Sequence, residues 1–136
     1  MIYLDSSALV KLVLPEPESE PLFRALVGWP DRISSEIAAV EVLRAARRVA
    51  GQGPVLTRAQ QVVDSVNLVR TDGGILRRAA LADPPQLRSL DAIHLATAQS
   101  IDGVRAMVVY DVALALAAKT AGLAVLSPGK FEIPPD

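Results

Sequence analysis

The sequence predicts a single α/β domain spanning residues 1–136, built on a short, mostly parallel central sheet. Two observations carry this. Short apolar runs such as Ile2-Tyr3-Leu4 and Ala106-Met107-Val108-Val109 alternate with longer stretches of helical periodicity, the pattern of strands joined by helical crossovers. In addition, 51% of the 136 residues are hydrophobic but only 4% aromatic, a composition that suits an α/β globule and excludes a disordered tail. No internal repeat, low-complexity tract or linker divides the chain.

Residues 2–4 read as a buried strand, followed by an apolar helix from Ser6 to Leu14 that Pro15 and Pro17 end. A second helix, Glu18 to Trp29, carries Leu22, Phe23, Leu26 and Val27 as its apolar stripe. Arg32-Ile33-Ser34 is a brief strand, and Ser35 suits the N-cap of a long helix over 36–50. Gly51 to Pro54 stops that helix, and another begins at Thr57 and runs toward Ser65. Asn67 to Arg70 is a short strand, after which Asp72 caps a helix bearing Ile75, Leu76, Ala79 and Ala80. Asp83-Pro84-Pro85 breaks it. A helix then runs from Leu90 to Ser100, a strand over 105–110, a helix from Asp111 to Ala121 and a last strand from Leu123 to Leu126. Pro134-Pro135-Asp136 reads as a loose tail.

Four acids interrupt segments that otherwise read as core. Asp5 ends the first apolar strand and Asp111 the run from Ala106 to Tyr110. Glu41 lies within Ile37 to Leu43, and Asp91 opens an apolar helix. Charged side chains are seldom buried without compensation, and a shared hard cation such as Mg²⁺ is the simplest source of it. In parallel sheets ligands bind at the carboxyl ends of the strands, where Asp5 and Asp111 fall. Singly, each acid also has an ordinary explanation. Asp91 and Asp111 fit helix-terminal acids, and Glu41 fits a solvated pair with Arg44. Asp5 fits such an explanation least, because it is apolar on both sides.

The remaining chemistry is sparse. There is no cysteine, so disulfides, thiolate metal sites and cysteine nucleophiles are excluded. His94 is the single histidine; it shares a helix face with Asp91, and a structural hydrogen-bonding role fits it best. A catalytic base would then come from a metal and a carboxylate. No Gly-x-Ser-x-Gly elbow, Walker A loop or Gly-x-Gly-x-x-Gly run occurs. Net charge is −1, and eleven of the fourteen cations are Arg, the better partner for phosphate. Arg44 and Arg48, three and seven residues beyond Glu41 on one helix face, are candidate phosphate contacts, with Lys11 a third. No apolar run approaches the ~20 residues that span a bilayer, and no basic segment with an apolar stretch marks a signal peptide. A cytoplasmic location with no membrane association is the expectation.

Four stretches together resemble one family. Asp5-Ser6-Ser7-Ala8-Leu9-Val10-Lys11-Leu12 looks like its opening motif, and Ser35-Glu36-Ile37-Ala38-Ala39-Val40-Glu41-Val42 like its second. Leu90-Asp91-Ala92-Ile93-His94-Leu95-Ala96-Thr97-Ala98 resembles its most recognisable stretch, and Val109-Tyr110-Asp111 with Leu114, Ala117, Ala118 and Gly122 its last. In register over nearly the whole chain, they resemble PIN-domain ribonucleases of the VapC type, the toxins of toxin–antitoxin pairs. The resemblance implies a compact three-layer α/β/α fold and Mg²⁺ or Mn²⁺ in the acidic pocket. It also implies endonucleolytic cleavage of RNA, often transfer or ribosomal RNA, dimerisation, and a cognate VapB-like antitoxin that blocks the pocket. Carried over by position, Asp5, Glu41, Asp91 and Asp111 form the acidic quartet that binds metal and carries catalysis, with Ser6 a supporting hydroxyl. One departure is Val109, where many relatives have Thr.

Two other functions compete. A phosphatase of the haloacid-dehalogenase kind also begins with Asp at a strand end, but needs a second Asp where this chain has Ser7. A catalytically degenerate PIN-like module would bind RNA or an antitoxin without cutting. The apolar helices at 6–14 and 18–29 further suggest a homodimer interface.

Overall fold

The computed structural model describes residues 1–130; the tail at 134–136 lies outside them. The elements run β1 (Ile2–Leu4), α1 (Ser6–Val13), α2 (Ser19–Leu26), β2 (Arg32–Ser35), α3 (Ile37–Val49), α4 (Pro54–Asp64), β3 (Asn67–Val69), α5 (Gly73–Ala80), α6 (Ser89–Ser100), β4 (Ala106–Val108), α7 (Val112–Thr120) and β5 (Val125–Leu126). The strands form one sheet in the order β3-β2-β1-β4-β5, and every pairing in it is parallel.

Strand alternation divides the interior into two cores, giving the α/β/α layering. On one face Ile2, Leu4, Ala106 and Val108 pack with Leu9 and Leu12 of α1, Leu22 and Leu26 of α2, Val42 of α3 and Val62 of α4. On the other, Tyr3, Ile33, Met107 and Val109 pack with Leu95 and Ala98 of α6 and Leu114 and Ala118 of α7. Tyr3 therefore points away from the side of its strand neighbours and toward α6.

The strand order reverses between β1 and β4, which are neighbours although far apart in sequence. A crevice opens at such a crossover, outside the carboxyl ends of the two strands. Asp5 follows β1 there, and Asp111 lies three residues beyond β4.

Several local boundaries differ from the sequence expectation. The fourth helix begins at Pro54 rather than Thr57, with Pro in its first turn, where its missing N–H costs nothing. Glu36 rather than Ser35 occupies the N-cap of α3 and gives no side-chain cap, although Ser35 Oγ still accepts from the Ile37 amide at 3.3 Å. The apolar stripe of α2 is split: Leu22 and Leu26 are buried, whereas Phe23 is 45% and Val27 83% exposed. Helix α1 turns Leu9 and Leu12 into the core. Exposed apolar side chains also stand on and after α5, at Leu76 and Leu81, and on α7, at Val112 and Leu116. The expected apolar face is thus narrower on α1 and α2, and a second one lies elsewhere.

Candidate active site

All four acids, delivered by four elements, line one cavity of about 360 Å³ together with Ser6, Ser7, Arg88, Ser89, Leu90 and His94. Asp5 is the N-cap of α1. Its Oδ1 accepts from the Ala8 amide at 3.0 Å and the Ser7 hydroxyl at 2.7 Å. Only 3% exposed, its carboxyl is pushed up to about 6. Burial is the main cause; the bonds from Ser7 and Ala8 oppose it, and the charge of Asp91 adds to it.

Asp91 sits in the first turn of α6, where the helix dipole favours a carboxylate. Burial and then the nearby charge of Asp111 nevertheless raise its pKa. Asp111 is the N-cap of α7, its Oδ1 accepting from the Leu114 amide at 2.8 Å. Capping and site membership are therefore compatible for Asp5 and Asp111: one carboxylate oxygen takes the helix amide and the second has no hydrogen-bond partner among the described residues.

Glu41 does not pair with Arg44. Its Oε1 accepts from Ser6 Oγ at 2.5 Å and lies 2.8 Å from His94 Nε2. Burial works to raise its pKa, but the bonds from His94 and Ser6 together prevail and hold it below the usual carboxylate range. His94 is buried, with its other ring nitrogen, Nδ1, 2.6 Å from the Tyr3 hydroxyl.

Of the cationic candidates, Arg48 lines a recess with Ser6, Ser7, Glu41, Tyr110 and Asp111, all of which except Tyr110 also line the acidic cavity. Arg44 lines a separate recess with Arg47, Arg48 and Gly51. Lys11 Nζ is held by Glu16 at 2.5 Å and Glu18 at 3.1 Å, and stands 4.8 Å from the centre of the Tyr110 ring. Those two glutamates thus neutralise the lysine beside the site. Val109 is fully buried in the second core and does not line the acidic cavity, so its side chain faces away from the acids.

Sequence reasoning missed three contributors. Ser7 ties the ends of β1 and β4 together by donating to Asp5 and accepting from the Tyr110 amide at 3.2 Å. Arg88 brings a cation to the cavity wall, immediately before α6. Tyr3, a plain core residue in the sequence, reaches the site through His94, whose place one turn beyond Asp91 was the available signal.

The donor set is all hard oxygen, the chemistry that Mg²⁺ or Mn²⁺ prefers. The partnerless oxygens of Asp5, Glu41, Asp91 and Asp111 are the atoms that fit a cation. Among the described residues no three of these acids close on one point at ligand distance.

The chain matches the PIN domain family over residues 2–127. It is 43% identical to Ribonuclease VapC46 of Mycobacterium tuberculosis over 129 residues, covering 93% of this chain and 97% of that one. It is 42% identical to Ribonuclease VapC35 of the same species, covering 96% and 98%. Among solved structures, a toxin–antitoxin complex from Klebsiella pneumoniae superposes with a TM-score of 0.71 at 24% identity, over 98% of this chain and 100% of that one. M. tuberculosis VapC20, a sarcin–ricin loop cleaving toxin, gives a TM-score of 0.71 at 16% identity, over 94% and 100%. The β1–β4 crossover with its acids, and the extent of these matches, make the chain a member of the PIN-domain family in its VapC branch.

Proposed function

We propose that this protein is a divalent-metal-dependent endoribonuclease that hydrolyses RNA phosphodiesters and serves as the toxin of a type II toxin–antitoxin pair. The observation that carries this is the meeting of four carboxylates from distant segments in one cavity at the sheet crossover. The ribonuclease names of relatives sharing 36–43% identity support it. Asp5, Glu41, Asp91 and Asp111 would hold Mg²⁺ or Mn²⁺. Such an ion supplies positive charge against the phosphodiester and acidifies water for attack.

The chain's own residues do the positioning. Ser7 and the Ala8 amide fix Asp5 at one oxygen; Ser6 and His94 fix Glu41 in the same way. Asp91 and Asp111 raise the local negative potential that draws a cation in, and Arg88 and Arg48 offer phosphate contacts at the edges of the acidic surface. A transfer or ribosomal RNA is the proposed substrate class. A VapB-like antitoxin that covers the cavity, a homodimeric state and a cytoplasmic setting complete the proposal.

The test is RNA 5′-end mapping after inducing the chain in a host, beside an Asp5→Asn control. New ends at one or a few sites, absent from the control, support the proposal. No new ends from folded, antitoxin-free protein would favour a module that binds RNA or antitoxin without cutting.

A further inference from the structure

His94 has three polar neighbours, Glu41 and Ser6 at Nε2 and Tyr3 at Nδ1. Ser6 Oγ, 2.8 Å from Nε2, donates its hydrogen to Glu41 and so can only accept from the ring. Glu41 Oε1, 2.8 Å from Nε2, is an acceptor when the carboxylate is ionised, and so calls for a proton on Nε2. Tyr3, fully buried, places its hydroxyl 2.6 Å from Nδ1 and can donate there only if Nδ1 is bare. A proton on Nδ1 instead would leave the tyrosine hydrogen without its acceptor. In the structure the hydrogen-bond partner of the Tyr3 hydroxyl is His94 Nδ1. The Ser34 and Thr97 hydroxyls spend their own hydrogens on Leu4 O and Ile93 O, at 2.6 Å each, so neither competes to donate to the tyrosine oxygen. The observed geometry meets both demands when the imidazole carries its proton on Nε2 and none on Nδ1.

We infer that Tyr3 is a positioning residue, its hydroxyl proton locking His94 as the Nε2–H tautomer so that the imidazole and Ser6 hold Glu41 by Oε1 and leave Oε2 for a divalent cation. The chain of contacts starts in the sheet and ends at the acids. Tyr3 lies in β1, paired with Ile33 on one side and Met107 on the other, and its ring meets the His94 ring edge-on at a centroid distance of 5.8 Å. The most rigid part of the fold thereby sets the orientation of a carboxylate on α3. A group hydrogen-bonded to a metal ligand typically changes metal affinity 10–100-fold when removed; His94 holds that place, and Tyr3, one contact further out, is expected at the lower end. The cation in this inference rests on the proposed function, whereas the tautomer does not.

The experiment uses full-length protein freed of metal and antitoxin, with ¹⁵N-labelled histidine. Because the chain has a single histidine, two-bond ¹H–¹⁵N correlation spectra report on His94 alone. At pH 7.5 the wild type is expected to show a bare Nδ1 and a protonated Nε2. Tyr3→Phe should move the ring toward a mixture of tautomers and weaken Mn²⁺ binding, measured by calorimetry, about tenfold. His94→Gln, which can still offer an amide hydrogen to Glu41, should recover much of the affinity that His94→Leu loses. A wild-type Nδ1–H signal overturns the inference whatever the variants do. So does Mn²⁺ affinity within twofold of wild type in a folded Tyr3→Phe protein, or no Mn²⁺ binding by the wild type. The expected tautomer and affinity losses in a protein that cuts no RNA would support the inference and sink the ribonuclease proposal alone.

Discussion

Ser7 and Asp5 share a 2.7 Å hydrogen bond in which the hydroxyl donates to Oδ1, and the same hydroxyl accepts from the Tyr110 amide. One small side chain thus supports the most buried acid and fastens the loop after β4. A hydrogen bond to a charged group contributes about 1.5–3 kcal/mol, and removing it leaves a buried group poorly solvated. Ser7→Ala should therefore lower unfolding free energy in urea by about 2 kcal/mol at pH 7.5, and by less at pH 5, where Asp5 is largely protonated. An equal loss at both pH values would mean that Ser7 acts only through the loop.

The raised pKa of Asp5 has a consequence for stability without metal. Its carboxyl titrates near 6 in the folded protein and near 3.9 in an unfolded chain. Between these values the folded state holds the extra proton, so stability increases as pH falls from 7.5 toward 5 and is lost on the way back up. Asp91, also raised, acts with the same sign. Glu41, lowered, acts with the opposite sign, but its loss of stability comes at pH values below the normal glutamate range, outside this window. In EDTA, unfolding free energy should rise by roughly 1–2 kcal/mol from pH 7.5 to 5, and Asp5→Asn should remove most of that rise. A flat profile in the wild type would show that Asp5 is already compensated.

Much of this site was legible in the sequence because burying an acid is costly. Asp5, Glu41, Asp91 and Asp111 were visible as charges in apolar runs, and the strand-end rule assigned Asp5 and Asp111 to one sheet edge. What periodicity could not give was pairing between distant elements. Glu41 is three residues from Arg44, which made a local pair the ordinary alternative to a site role, but its partners come from α1 and α6. The start of α4 was missed because Gly53-Pro54 reads equally as a stop and as a helix entry. Tyr3 was indistinguishable from the other β1 core residues, since alternation tells which face a side chain takes but not which polar group waits there.

The repulsion between Asp91 and Asp111, the second cause of the raised Asp91 pKa after burial, implies that the Asp91 charge works against the metal-free fold. Neutralising it by Asp91→Asn keeps shape and volume while removing the charge. Metal-free protein should then be as stable as wild type or up to about 1 kcal/mol more stable at pH 7.5, while RNA cleavage with Mn²⁺ should fall by two orders of magnitude or more. Parallel urea titrations and single-turnover assays check both halves. Retained cleavage would remove Asp91 from the proposed metal-binding set, and a large loss of stability would mean that it serves the fold.

Arg48 and Arg44 share one recess on α3, but only Arg48 also borders the recess that reaches the acids. Arg48 borders a recess that includes Glu41 and Asp111, whereas Arg44 lines only the recess shared with Arg47, Arg48 and Gly51, which contains no acid of the quartet. A phosphate next to the scissile one would therefore meet Arg48 before Arg44. Charge reversal at Arg48 should weaken RNA binding several-fold more than reversal at Arg44. It should also reduce the slope of log Kd against log salt by about one. The comparison belongs in the Asp5→Asn background, where RNA remains intact through the titration and each variant keeps the same cavity charge. Equal weakening by both reversals would indicate a diffuse electrostatic attraction along α3. A larger effect at Arg44 would move the RNA path away from the Arg48 recess.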